Sequence, residues 1–226
     1  MLRAVQKRII HYTWRPILLR YLRHDRPYSF DGLKLIVRKG VFHPGFFFSS
    51  RLLIEALQRF DLKDKNLLEL GCGSGMISCW SAREGAKVSA VDLNRAAVAN
   101  AKENAEANGL AAKVKALQSD LFDALKGQWF DFIVVNPPYY PKHPKTDAEQ
   151  AWYCGEGFEY FHRFFKELSA HISSTSVVLM SLSEDCDLES IQQIGKTHDF
   201  GFKTLVEKRT GWENHFIFQL QKINKV

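Results

Sequence analysis

A chain of 226 residues, 46% hydrophobic and 25% charged, can bury a substantial core and suits one α/β domain with short additions. No apolar run approaches the ~20 residues of a membrane helix, so no membrane partner is expected, and a net charge of +6 permits a polyanionic partner without demanding one. Cys72, Cys79, Cys154 and Cys186 include no CxxC pair, which argues against a zinc site or disulfide framework and for reduced thiols in a cytoplasmic protein.

Residues 1–23 hold six Lys and Arg and no acid, as organellar targeting peptides do. Ile9, Ile10, Trp14, Ile17, Leu18 and Leu22 nonetheless share a helical face, so a basic helix docked on the domain is expected. Residues 33–37 read as a short strand, and arm and strand together fill 1–42. Ser49 or Ser50 is placed to cap a helix with apolar positions Leu52, Leu53, Ala56, Leu57 and Phe60. From there strand and helix alternate, with strands at 67–70, 87–92, 113–117, 132–136 and 177–182 and helices at 75–83, 94–108, 158–171 and 188–198. Two late strands, 202–207 and 215–220, should form a hairpin-like edge. Repeated β-then-α units require a mostly parallel sheet covered by helices on both faces. Residues 140–157 carry Pro141 and Pro144 and no periodicity, a loop of the length that often serves as a lid.

Ligands of parallel sheets bind at the carboxyl ends of the strands, and the unusual residues of this chain fall there. Glu69-Leu70-Gly71-Cys72-Gly73-Ser74-Gly75 makes a tight turn that lets a ligand approach the main chain. Its spacing is not the G-x-G-x-x-G of a nicotinamide dehydrogenase, and Glu69 suits a sulfonium or amino group better than a pyrophosphate. Asp92 ends the next strand, about 20 residues on, where a carboxylate reaches a ribose diol. Ser119-Asp120-Leu121-Phe122 follows the third strand and Asn136-Pro137-Pro138-Tyr139 the fourth. Two prolines force the chain out of the sheet as a stiff, extended turn. The Asn136 carboxamide oxygen and the Pro137 carbonyl then form a pair of acceptors, with Tyr139 as a flat face beside them. A planar NH2 group offers two donors and a π-face to match. His43, His143 and His162 are too scattered to suggest a metal site.

Over roughly residues 43–221, the order and spacing of these segments resemble the class I S-adenosylmethionine-dependent methyltransferases. The tetrapeptide resembles that of the amino-methylating NPPY branch. This resemblance implies a methyltransferase domain over 43–226, with lid loop 140–157 and a Rossmann-like, mostly parallel seven-stranded sheet with helices on both faces. It implies S-adenosyl-L-methionine as cofactor, with Glu69, Gly71 and Gly73 at the methionine end and Asp92 on the ribose hydroxyls. Asp120 would contact the adenine amino group, Leu93 and Leu121 would flank the ring, and Asn136 would lie between cofactor and acceptor. Catalysis would rest on Asn136, Pro137 and Tyr139, and the transfer needs no metal. Residues 151–158, with Gly201, Phe202, Trp212 and Glu213, resemble release-factor glutamine methyltransferases. The doubled Tyr139-Tyr140 is similar to small-domain enzymes of tRNA adenine or rRNA guanine, and Lys142, Lys145 and the basic arm would suit RNA phosphates. The expected acceptor is a macromolecule: a glutamine of a release factor or other protein, or alternatively adenine N6 or guanine N2 of tRNA or rRNA. A non-catalytic adenosine-ligand-binding subunit is the competing class, although such a protein would normally have lost part of Gly71, Asp92 or Asn136.

Overall fold

A computed structural model describes residues 23–46, 48–146, 149–210 and 213–223. The basic helix expected before residue 23, and Trp212, lie outside them. The first element is a hairpin of β1 (Arg26–Phe30) and β2 (Leu33–Val37). Its two-residue turn, Asp31 at φ 48° and Gly32 at φ 79°, has the positive dihedrals that match the twist of paired strands. Sequence reading found only β2, because β1 contains Pro27 and buries neither face fully.

Next come α1 (Ser49–Leu57), β3 (Asn66–Leu70), α2 (Met76–Arg83), β4 (Lys87–Asp92), α3 (Arg95–Ala107) and β5 (Val114–Gln118). β6 (Phe132–Val135), α4 (Glu159–Leu168), β7 (Val177–Ser183), α5 (Leu188–Thr197), β8 (Phe200–Thr210) and β9 (Glu213–Lys222) complete the domain. Two local expectations are corrected. Neither Ser49 nor Ser50 caps α1: Phe48 occupies the N-cap without a side-chain bond. The helix also stops at Leu57, and Phe60 packs from the following turn onto Phe132, ring centroids 5.6 Å apart. By contrast Asn94 caps α3, accepting the Ala96 N–H at 2.8 Å, a bond its residue type favours.

The seven-stranded sheet runs β5-β4-β3-β6-β7-β9-β8. Pairing is parallel from β5 through β7, and the long β8–β9 hairpin closes one edge in antiparallel fashion. Strand residues alternate between two apolar layers, as the pleat requires. Leu67, Phe132, Val134 and Leu179 face the layer of α1, α2 and α3. Leu68, Leu70, Ile133, Val135, Val178 and Met180 face that of α4 and α5, which adds Phe161, Phe164 and Phe165. Burial on both faces explains why β3 and β6 read as unbroken apolar runs.

The hairpin is fastened to the domain by asparagines. Asn108, Asn104 and Asn100 lie four residues apart on one face of α3, against the free edge of β2. Asn108 accepts the Lys34 N–H at 3.0 Å and donates to the Lys34 carbonyl at 2.8 Å. Asn104 does the same for Ile36 at 2.8 and 2.9 Å. Asn100 accepts from Arg38 at 3.0 Å but donates to the Ile36 carbonyl, at 2.7 Å. Asn104 also donates to the Ser74 carbonyl at 2.8 Å, tying the hairpin to the glycine turn.

Candidate active site

Strand register brings the motifs together. Leu70 pairs with Val91 on one side and Val135 on the other, and Asp92 pairs with Gln118. The residues that follow each strand, Gly71, Asp92 with Leu93, Ser119 with Asp120, and Asn136, therefore stand in a row along the carboxyl edge. The chain runs outward from β3 to β5 and returns to β6 beside β3, so the row spans the point where strand order reverses, the usual crevice for ligands in such sheets.

A cavity of about 370 Å³ occupies this crevice. Glu69, Gly71, Gly73, Asp92, Leu93, Asp120, Leu121 and Asn136 all line it. The glycine turn is held by Val91, whose carbonyl accepts the N–H groups of Gly71 and Cys72 at 2.8 and 2.9 Å. Gly71 has φ 73° and open space where a Cβ would stand, whereas at Gly75 (φ 75°) a Cβ would come within 2.8 Å of the Ala101 Cβ. One glycine leaves room for a ligand and the other lets α3 approach.

Glu69 is 5% exposed. Gly75, at the N-cap of α2, has no side chain to cap it, and Glu69 supplies the missing acceptor. Its Oε2 accepts from the Ser78 N–H at 2.8 Å and from the Ser78 hydroxyl. Burial nonetheless pushes its carboxyl up to about 8, against the opposing bonds from Ser78. A cationic group in the cavity would reverse that balance. Asp92 accepts from Gly73 N–H at 3.0 Å through Oδ2 and from Asn94 N–H at 2.9 Å through Oδ1. Burial raises its pKa too, against the N–H bonds of Gly73, Asn94 and Leu93, and the carboxylate keeps acceptor capacity for a hydroxyl donor. Leu93 stands 41% exposed on one wall and Leu121 is buried on another at φ 48°. The residues fit an adenosine bearing a sulfonium: carboxylates without a pyrophosphate cradle, apolar walls, and a buried acid at the far end.

A second cavity, about 290 Å³, adjoins the first through Phe42, Asn136 and Ala151. Asn136, Pro137 and Tyr139 line it. Among the described residues nothing hydrogen-bonds to the Asn136 carboxamide or the Pro137 carbonyl, so both acceptors are uncommitted. Tyr139 packs against Tyr140, centroids 4.8 Å apart, and bonds to Ser183 while burial raises its pKa, making a fixed wall. Phe42, Phe46, Phe48 and Trp152 form the rest of an aromatic lining, with Trp152 against Phe42 at 5.7 Å. β9 adds Glu213 and His215, 3.9 Å apart. Among the described residues that line it there is no Lys or Arg.

Described residues of segment 140–157 line both cavities, His143, Pro144, Gln150 and Tyr153 the first, Tyr140 and Trp152 the second, and Ala151 both. The segment folds on itself through Tyr140 N–H to Trp152 O, Cys154 N–H to Tyr140 O and Gly155 N–H to Lys142 O, each 3.0 Å. Lys142 lies 5.8 Å over the Tyr153 ring. His43 packs between Tyr28 and Phe46, His143 lines the larger cavity, and His162 sits beside His198. Sequence reading missed Ser78, Tyr160, Arg163 and His215. A readable signal existed for two of these, since Tyr160 and Arg163 lie three apart on α4, beside its Phe161-Phe164-Phe165 face.

Comparison with known proteins agrees with this geometry. Residues 32–153 match the family model of the methyltransferase small domain. A putative protein N5-glutamine methyltransferase of Methanocaldococcus jannaschii is 36% identical over 186 residues, 79% of this chain and 89% of that protein. The ribosomal RNA small subunit methyltransferase C of Alcanivorax borkumensis is 33% identical over 121 residues, 50% of this chain but only 36% of its own length. Among solved structures, the T. thermophilus 16S rRNA N2 G1207 methyltransferase, in complex with AdoMet and guanosine, superposes with a TM-score of 0.65 at 25% identity. That match covers 89% of this chain and 50% of that one.

Proposed function

The chain belongs to the methyltransferase small-domain family of class I S-adenosylmethionine-dependent enzymes, and from that premise we propose that it methylates the side-chain nitrogen of a glutamine in a protein. At the coarser level it is a methyltransferase that modifies a macromolecular amine or amide. The glutamine reading rests on the acceptor cavity. A nucleotide brings phosphates that want Lys or Arg, and this cavity offers Glu213 instead. The archaeal relative, nearly all of whose length is matched, carries the same activity in its name.

When bound, S-adenosylmethionine supplies an electrophilic methyl group on a sulfonium. Glu69 and the glycine turn hold the cationic end, and Asp92 holds the ribose. Asn136 Oδ1 and the Pro137 carbonyl accept the two N–H bonds of the carboxamide, while Tyr139 fixes its plane. Amide nitrogen is a poor nucleophile because its lone pair is delocalised, and two acceptors on one side favour a geometry that frees it. Orientation of this kind contributes up to ~7–11 kcal/mol in ideal cases. Methylation of the nitrogen would break the methyl–sulfur bond, with S-adenosylhomocysteine as the leaving group, and the nitrogen would shed one proton to water.

The six aromatic rings around the cavity would also stack a base, which makes RNA the second reading. Incubating the protein with isotopically labelled methyl donor and a cell lysate separates the two. Label removed by protease and recovered as N5-methylglutamine is expected. Label removed by ribonuclease would overturn the glutamine assignment.

A further inference from the structure

Arg163 plays no part in the acceptor chemistry, yet it stands on the wall of the cofactor cavity. From α4 its guanidinium donates to Asp120 Oδ2 at 2.6 Å, and it lies 3.7 Å from Asp123 and 3.4 Å from Glu167. Asp120 Oδ1 has no partner among the described residues. Both side chains are partly exposed, 41% and 45%. Half-exposed ion pairs add little to stability, so the fold alone does not account for an arginine set among three carboxylates on a ligand cavity.

We infer that Arg163 is a positioning residue for adenine recognition: by holding Oδ2 it turns Asp120 so that Oδ1 faces the exocyclic amino group, and the site thereby selects adenine over hypoxanthine. The inference rests on the S-adenosylmethionine reading and on Asp120 standing at the adenine.

An ionised carboxylate only accepts hydrogen bonds. Adenine presents a donor at its 6-position and hypoxanthine an oxygen, so the same carboxylate attracts one and repels the other. That discrimination needs a fixed carboxylate, because the terminal torsion of Asp is broad. A planar guanidinium fork supplies the constraint that a point charge would not. The fork is itself held. Glu167, one turn on, meets Arg163 Nε, and Tyr160, one turn back, lines the cavity and stacks parallel to Phe164 at 6.4 Å.

Titration calorimetry with S-adenosylhomocysteine and its inosine counterpart, S-inosylhomocysteine, tests this. Wild-type protein should prefer the adenine ligand by at least about tenfold, the cost of one unmade bond to a charged group. Arg163→Gln should lose most of that preference, chiefly through weaker adenine binding, and Arg163→Lys should retain part of it. Undiminished preference in Arg163→Gln overturns the proposal, as does an equal loss of affinity for both ligands, which would mark a purely structural role. Should Arg163→Gln fail to give a folded circular dichroism spectrum, Arg163→Lys decides, and wild-type preference there also overturns it. The underlying readings fail separately: wild-type protein that binds neither ligand removes the cofactor, and Asp120→Asn with full preference removes Asp120 from the adenine.

Discussion

Asn136 and Glu69 make opposite demands on their surroundings. Among the described residues Asn136 keeps its acceptor oxygen unpaired, so Asn136→Ala should leave cofactor affinity nearly intact while kcat falls about 10²-fold, the usual scale for one preorganised hydrogen-bonding partner. Equal losses in affinity and turnover would refute its acceptor-side role. Glu69 is raised from 4.5 to about 8 by burial, so the folded protein favours its protonated form. Its contribution to stability is full below about 4.5, declines from there to about 8 and is absent above that. Urea unfolding should therefore show a fall in stability across this window that disappears in Glu69→Gln. Residues of this first rank were legible because each sits inside a short motif whose backbone shape is local: a glycine turn, a strand end, a proline pair. Ser78 and His215 were not, because each reaches its site from an element whose position depends on tertiary packing.

Single elements were recovered better in number than in length. The five parallel strands and the helices between them stood out because apolar periodicity is strong where both faces are covered. β8 and β9 run four or more residues longer than read, Phe200–Thr210 and Glu213–Lys222, since their outer halves are polar and pair with each other beyond the core. β1 was missed for a related reason, as its support comes from β2 and not from its own pattern. The hairpin depends on α3, and Asn104 is its buried centre. Asn104→Ala strands the Ile36 N–H and the Ser74 carbonyl, while Asn100 still meets the Ile36 carbonyl, so it should cost about 2–4 kcal/mol. Asn108→Ala, whose bonds to Lys34 are exposed, should cost under about 1.5 kcal/mol. Chemical denaturation of the two variants measures both, and similar values would show that Asn104 has no special place.

The whole molecule joins four strand ends, a hairpin and a long loop around one crevice, so a ligand there braces parts far apart in sequence. At a hundred times its Kd, S-adenosylhomocysteine should stabilise the protein by about 2.7 kcal/mol, raising the thermal midpoint by roughly 5–10 °C for a chain of this size. NADH should leave it unmoved, and a reversed result would return the fold to the dehydrogenases. The sheet and its mostly parallel sense followed from alternation, and its seven strands from the family resemblance. Its order did not: nothing local in β6 says that it returns to pair with β3, and only the placement of Asn136 beside Gly71 made that order a functional necessity.

The asparagine rungs between α3 and β2 also set a limit on themselves. Four helical residues advance ~6.0 Å, whereas two strand residues advance ~6.6 Å. The two rulers agree at one rung, differ by a little over half an ångström at the next and by more than an ångström at the third. The slip is visible: Asn108 and Asn104 each serve one residue in full, but Asn100 takes its N–H from Arg38 and gives its own to Ile36. A fourth asparagine at position 96 would find no strand group opposite it. A helix can therefore stand in for a neighbouring strand over about five residues, the length at which β2 ends.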